Sequence, residues 1–351
     1  RIAIEIAEEY KKKGFEVKIA YGRESVPDQY ANMSVRIGSE CTVKRNAVES
    51  RLFDNDGFTA RKETKKFLDW ADTYNPDELW LHNLHGYYIN VELLFDWIKN
   101  RPEMKVKWLL HDCWSFTGHC AYFSYAKCEK WRIHCENCIQ KKQYPSCYLF
   151  DRSSVNYEKK RQLFTGLSNM SIVTPSKWLS GLVKESFLKE YPVEIRYNRI
   201  DLQVFKFTDS NIKDILELSD KKIILGVAAQ WQPSKGYDDF IKLREMLSDE
   251  YAIVMVGLNE KQMSDVPKSI VAIQNTDSVQ ELVELYSAAD VFFNPTYEDN
   301  YPTVNLEAKA CGTKVITYNS GGSPESVEPE NVIEPGDLKS VVKRIKEIVE
   351  T

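Results

Sequence analysis

The sequence holds no apolar run near the ~18 residues that a membrane-spanning helix needs. Its richest stretch, Ile223-Ile224-Leu225-Gly226-Val227-Ala228-Ala229, is far shorter. It also lacks the excess of positive charge that marks a dedicated nucleic-acid binder, since 47 Lys and Arg face 52 Asp and Glu for a net charge of −5. It opens on Arg1 rather than Met, without the basic start and apolar segment of a secretory leader. No low-complexity segment and no short internal repeat is visible. These absences lead to the expectation of a soluble, cytoplasmic chain with no nucleic-acid partner. What is present excludes wholesale disorder: 43% of residues are hydrophobic, with 19 Tyr, 15 Phe and 8 Trp. A length of 351 residues suits two domains of roughly 150 each.

Periodicity alternates along both halves. Arg1 to Lys13 has helical spacing, Gly14 stops it, and Phe15 to Ala20 alternates like a strand. A helix followed by a parallel strand lacks the strand that should precede it, so a first strand and its loop are expected to be missing from the sequence. Thr59–Tyr74, Ile89–Lys99 and Ser176–Lys189 read as helices, and Glu78–Leu81, Lys105–Leu110, Met170–Thr174 and Val193–Tyr197 as strands. The second half repeats the pattern: strands at Lys222–Ala228, Ala252–Gly257, Asp290–Asn294 and Thr313–Thr317 alternate with helices at Gly236–Leu247, Ser278–Ala288, Thr303–Cys311 and Asp337–Val349. This implies α/β architecture: two doubly wound Rossmann-like domains, residues 1–205 and 206–351, with a hinge near Phe205 and a ligand cleft between them. Ligands of such sheets bind beyond the carboxyl ends of the strands.

At those ends the chain places chemistry. His82-Asn83-Leu84-His85-Gly86 follows one strand and His111-Asp112 the next, so four of five histidines (with His119) fall within 38 residues. Each alone is as readily a buried structural histidine; together they favour function, above all for His111, whose imidazole can bond a sugar hydroxyl or assist proton movement. Gln230-Trp231-Gln232-Pro233-Ser234-Lys235-Gly236 joins a strand to a helix, where a lysine is placed for a phosphate, although a solvated loop lysine is the plainer reading. The run Asn294 to Glu307 ends a strand, passes an acidic loop and starts a helix near Thr303. That start can hold a pyrophosphate, the loop carboxylates can accept from hexose hydroxyls and Glu307 from ribose hydroxyls. An acid one turn inside the helix that only complements its dipole is the alternative for Glu307.

Six of eight cysteines fall within 35 residues, Cys113 to Cys147. Cys120-x7-Cys128-x6-Cys135-x2-Cys138 ends in a CxxC knuckle, the pattern of a tetrahedral structural zinc, with free thiols or disulfides as rivals. The segment from about 113 to 148 is expected to be an inserted loop near the acceptor side. Its Tyr, Trp and Lys content suits a sugar acceptor or a membrane surface, or only a stapled loop.

Pro295-Thr296-Tyr297-Glu298-Asp299-Asn300-Tyr301-Pro302 through Glu307-Ala308-Lys309-Ala310-Cys311-Gly312 resembles the E-x7-E signature of the retaining GT-B glycosyltransferases of the family-four type. Thr174-Pro175-Ser176-Lys177-Trp178 and Asn198-Arg199-Ile200-Asp201 with Phe205 look like further ordered motifs of that family. The His-Asn-x-His-Gly-Tyr-Tyr and His-Asp-Cys-Trp-x-Phe-Thr-Gly-His-Cys runs look like its bacterial branch, which builds capsule, exopolysaccharide or lipopolysaccharide. The resemblance covers nearly the whole chain.

The resemblance implies a hexose moved, with retention and without a catalytic metal, from an NDP-sugar to a glycan acceptor that is lipid-linked, at the inner face of the membrane. Carried over by position, the catalytic residues are His111 and Asp299 (by spacing) or Glu298 (by residue type). Donor binding falls to Lys235, Gln230, Asn300, Tyr301, Pro302, Thr303, Val304 and Glu307, and the acceptor side to His85, Gly86 and Asp112. There are departures: Gln230 stands where an Arg is usual, Arg199 replaces the hinge Gly, the glycine-rich loop after the first strand is absent, and no C-terminal crossover helix is recognisable. Asp54-Asn55-Asp56 has the look of a metal-binding Asp-x-Asp but reads as a loop before a helix. The alternatives are an NDP-sugar epimerase, a glycogen-synthase-like polymerase or a non-catalytic nucleotide-sugar-binding scaffold on the same architecture.

Overall fold

A computed structural model describes residues 2–350. The chain divides into two units between Tyr197 and Asn198, eight residues before the expected hinge at Phe205.

In the C-terminal unit six parallel strands form one sheet: β7 (Lys222–Val227), β8 (Tyr251–Val256), β9 (Ile270–Ile273), β10 (Val291–Asn294), β11 (Lys314–Tyr318) and β12 (Val332–Ile333). Their spatial order is β12-β11-β10-β7-β8-β9, so the chain starts in the middle, winds outward to one edge, then returns and winds to the other. The strands read as continuous apolar runs because helices cover both faces; every residue of β8 and β10 is buried. One face packs Phe240, Leu243, Val341 and Ile345, and the other Val283, Tyr286 and Ala308. Order reverses between β7 and β10, the switch point beyond whose strand ends such sheets place their ligands.

The N-terminal unit carries β3 (Glu78–Leu81), β4 (Lys105–Leu109), β5 (Met170–Thr174) and β6 (Val193–Ile195) as a parallel sheet in sequence order. The single sheet expected from the sequence is divided. β1 (Ile19–Tyr21) and β2 (Ser34–Arg36) pair with each other in a separate two-stranded parallel ladder, and among the described residues no strand joins β3 on its outer edge. The helix Ile2–Lys12 packs Ile6 against Leu109 and Val173, and its Tyr10 meets Trp80 edge-on at 6.0 Å. The strand foreseen at Phe15–Ala20 begins only at Ile19, and Phe15 is exposed.

Four helices escaped the periodicity reading, the two longest being Glu40–Phe53 and Ser153–Phe164. The first buries only Asn46 and Ser50, and the second buries Ser153, Asn156 and Lys160 beside Tyr157 and Phe164. Polar side chains facing the core give no apolar stripe to detect. The cysteine-rich segment contributes to the core. Cys113, Trp114, Phe116, Cys120, Ala121, Phe123 and Trp131 belong to the main core of the N-terminal unit, with Phe123 stacked on Trp131 at 4.8 Å.

Candidate functional site

At the switch point of the C-terminal unit the loops after β7 and β10 come together. Gly236, at φ +75°, takes a left-handed conformation that ends the short turn Pro233–Lys235 and starts the helix Tyr237–Met246. A Cβ there would sit 2.4 Å from the Pro295 carbonyl, so only glycine lets the two loops meet this closely. The Tyr297 N–H donates to the Ser234 carbonyl at 2.8 Å and locks them together. The Lys235 ammonium is thereby aimed into the acidic loop. It donates to Asp299 Oδ2 at 2.7 Å, to the Glu298 carbonyl at 3.1 Å and to Thr296 Oγ1 at 3.4 Å. Asp299 Oδ1 accepts the Asn300 N–H at 2.8 Å, and the Asp299 carbonyl accepts from Gly322 at 3.0 Å.

The helix Thr303–Ala310 follows, with Pro302 as its N-cap and no side-chain cap, so its first N–H groups await an external acceptor. It is held from below by a buried polar network that the sequence reading missed. Asn294 Nδ2 donates to Asn305 Oδ1 at 2.8 Å, Asn305 Nδ2 donates to Ser326 at 2.8 Å and Ser323 at 3.2 Å, and Thr317 and Ser323 hydroxyls lie 2.6 Å apart. The signal was Asn294 at a strand end and Asn305 one turn into the helix, both mute until β11 brought Thr317 alongside. Glu307 is 5% exposed and its Oε2 accepts the Tyr286 hydroxyl at 3.3 Å. Asn300 is buried, the Tyr301 carbonyl accepts from Asn198 Nδ2 at 3.1 Å, Thr303 and Val304 are half-buried in the first turn, and Gln230 is exposed at the far end of its loop. A cation, carboxylate and free helix N–H groups converging at a switch point can bind an anionic group next to a polyol.

The N-terminal unit gathers a second set at the ends of β3 and β4, whose parallel register pairs Leu81 with Trp108. That register sets His82 beside His111, and His82 Nδ1 lies 3.0 Å from His111 Nε2. Burial, with each ring disfavouring charge on its neighbours, pushes His82 down to about 3 and lowers His111 despite Asp112 beside it. His85 behaves oppositely. Burial opposes its charge, but the Asp112 carboxylate, 2.8 Å from Nε2, overrides that and raises it, while burial and His85 pull Asp112 in opposite directions and His85 prevails, lowering it. Both nitrogens of His85 are engaged, because the Tyr144 hydroxyl lies 2.9 Å from Nδ1. His85 is 7% exposed and braces Asp112 against the cysteine-rich segment. The Gly86 N–H donates to Asp56 Oδ1 at 3.3 Å. His82, His85, His111, Asp112 and Trp114 line one recess. The sequence reading had His85, His111 and Asp112 but assigned nothing to His82 or Tyr144.

Asp54 and Asp56 are structural: Asp54 accepts from the Arg152 N–H at 2.7 Å and pairs with His119, and Asp56 caps Gly57 and Gly86. The zinc expectation is corrected. Cys120, Cys128, Cys135 and Cys138 do line a single recess, yet among the described residues no three or more His, Cys, Asp or Glu are arranged to hold a metal ion, and none of the eight cysteines is in a disulfide. Cys120 and Cys138 are hydrogen-bonded to each other instead, which lowers Cys138 to about 7 and raises Cys120. Cys113 and Cys147 are buried as well.

Residues 208–351 match the family described as Glycosyl transferases group 1. Across 342 residues the chain is 25% identical to Escherichia coli K12 WcaC, named a colanic acid biosynthesis glycosyl transferase, covering 93% of this chain and 81% of that protein. It is 30% identical over 116 residues, 32% of this chain and 30% of the relative, to the Campylobacter jejuni N,N'-diacetylbacillosaminyl-diphospho-undecaprenol alpha-1,3-N-acetylgalactosaminyltransferase. Among solved structures, sucrose-phosphate synthase from Thermosynechococcus elongatus superimposes with a TM-score of 0.71 at 15% identity, covering 99% of this chain and 82% of that one. Anabaena HepE in complex with UDP-glucose gives 0.61 at 13% identity, covering 95% and 89%. These two share with this chain the fold expected from the resemblance, the two Rossmann-like domains of GT-B.

Proposed function

We propose that this chain is a group 1 glycosyltransferase that moves a hexose from a nucleoside-diphosphate sugar to a lipid-linked glycan acceptor in surface polysaccharide assembly, at the inner face of the membrane, with retention and without a catalytic metal. The observation that carries the reading is the Lys235 ammonium, 2.7 Å from Asp299 and seated where the loops of β7 and β10 meet before an uncapped helix. The diphosphate would take Lys235 and the N–H groups of Thr303 and Val304, with Asn300, Tyr301 and Pro302 shaping the loop and Gln230 at its edge. Glu307 would accept from the ribose, turning from Tyr286. Asp299, or Glu298 in its place, and His111 would orient the hexose. The leaving phosphate oxygen would take the acceptor proton as the new bond forms on the same face, so the protein supplies charge and alignment.

Three likenesses support this. WcaC is named for colanic acid biosynthesis, the Campylobacter relative for an undecaprenol-linked acceptor, and HepE was solved with UDP-glucose. Among the described residues no helix is long and apolar enough to cross a membrane, so a lipid-linked acceptor would be met at a surface. The test is a thermal-unfolding screen with UDP-, GDP- and ADP-sugars, followed by transfer to a polyprenyl-diphosphate saccharide. Protection by one nucleotide class and a product of unchanged anomeric configuration are expected. No protection by any nucleotide sugar would overturn the reading, and loss of turnover in EDTA would overturn its metal-independence.

A further inference from the structure

Tyr148, Leu149 and Phe150 are three consecutive large apolar residues, exposed by 60%, 62% and 52%. Such a run standing in water is selected against unless something covers it. It is rigid rather than frayed. The Tyr148 N–H donates to the Arg51 carbonyl at 2.8 Å, Phe150 stacks on exposed Phe53 at 5.8 Å and 14°, and the Cys147 N–H donates to the Lys141 carbonyl at 2.8 Å. The last bond brings the turn Ile139–Lys142 alongside, adding Ile139, 67% exposed, with Lys141 and Lys142.

Charge says what covers this face. From Gly118 to Arg152 six Lys and Arg stand against three Asp and Glu, in a chain whose net charge is −5. Of the three acids, Asp151 is spent on Ser153 and the Cys138 N–H, and Glu129 on Arg132. A second copy would set two net-positive patches against each other, whereas an anionic bilayer complements both the charge and the aromatic and aliphatic side chains. We propose that Tyr148-Leu149-Phe150, flanked by Phe53, Ile139, Lys141 and Lys142, is the surface by which this chain docks on an anionic phospholipid membrane. The proposal deepens the reading of a lipid-linked acceptor, and its test uses no sugar, so the two can fail separately.

Co-sedimentation of the full chain with phosphatidylcholine vesicles, alone or mixed with phosphatidylglycerol, tests it. The chain should pellet with the mixed vesicles and be released by salt. Lys141→Glu with Lys142→Glu should weaken partitioning roughly tenfold or more. Leu149→Asp with Phe150→Asp should abolish it. Both variants should keep their circular dichroism and their protection by nucleotide sugar. Wild-type protein that stays in the supernatant, or folded variants that pellet as well as the parent, would overturn the proposal. So would a concentration-dependent dimer that Leu149→Asp converts to monomer.

Discussion

His82 and His111 hydrogen-bond ring to ring, Nδ1 to Nε2 at 3.0 Å, with centroids 5.3 Å apart and planes inclined by 22°. One neutral imidazole must donate and the other accept, so the tautomer of each sets that of the other. Burial shifts both down, helped at His82 by charge on His111 and at His111 by charge on His85.

The pair makes the fold acid-sensitive. A histidine held down to about 3 binds fewer protons folded than unfolded, so its neutral form costs nothing above the unfolded value of 6.5, and stability is lost as pH falls below it. Urea titrations between neutral pH and the acid limit should show a steeper loss for the wild type than for His82→Asn. The same variant should alter the pH profile of turnover through His111 while leaving nucleotide-sugar protection at neutral pH intact.

Lys235→Ala should remove the cation facing the departing diphosphate. A loss of roughly 100-fold in kcat/KM is expected, with Lys235→Arg recovering part of it. Initial rates with the donor identified by thermal protection would measure both.

Gly236→Ala combines a positive φ with a Cβ 2.4 Å from the Pro295 carbonyl. It should destabilise the chain by about 1–3 kcal/mol and pull the loop of β7 off that of β10. Chemical denaturation would read the first effect, and loss of nucleotide protection the second.

Glu307→Ala leaves the Tyr286 hydroxyl buried without its 3.3 Å partner, a cost of about 1–3 kcal/mol. Adding Tyr286→Phe should restore most of the stability but none of the donor affinity. Recovery of both by the double variant would show that Glu307 serves only the fold.

Lys160 is buried over the Trp114 ring, 3.4 Å from its centroid, and donates to the Trp114 and Thr117 carbonyls at 2.7 and 3.1 Å. Burial, only partly offset by Asp56, lowers it to about 7. Its folded value lies below the unfolded 10.5, so the unfolded chain binds more protons in that interval and this group's contribution grows as pH rises from 7 toward 10. Lys160→Met should flatten that slope in thermal melts taken across the range.

Local signals were enough for two Rossmann-like halves and for the strand ends that carry Lys235, Asp299, His111 and Asp112. Strand runs, helix starts and loop residues are written within a few positions of one another, and a strand's carboxyl end is where such sheets place chemistry whatever the rest of the chain does. Tertiary structure alone decided what each group touches. The strand order set Lys235 against Asp299 across 64 positions, β3 beside β4 set His82 on His111, and the cysteine-rich segment returned Tyr144 to His85 across 59. It also gave Cys120 to Cys138 where spacing had suggested a metal, and hid two helices whose buried faces are polar. Periodicity records which side of an element leaves water, but partners distant in the chain are chosen by strand order and loop closure, which no local pattern encodes.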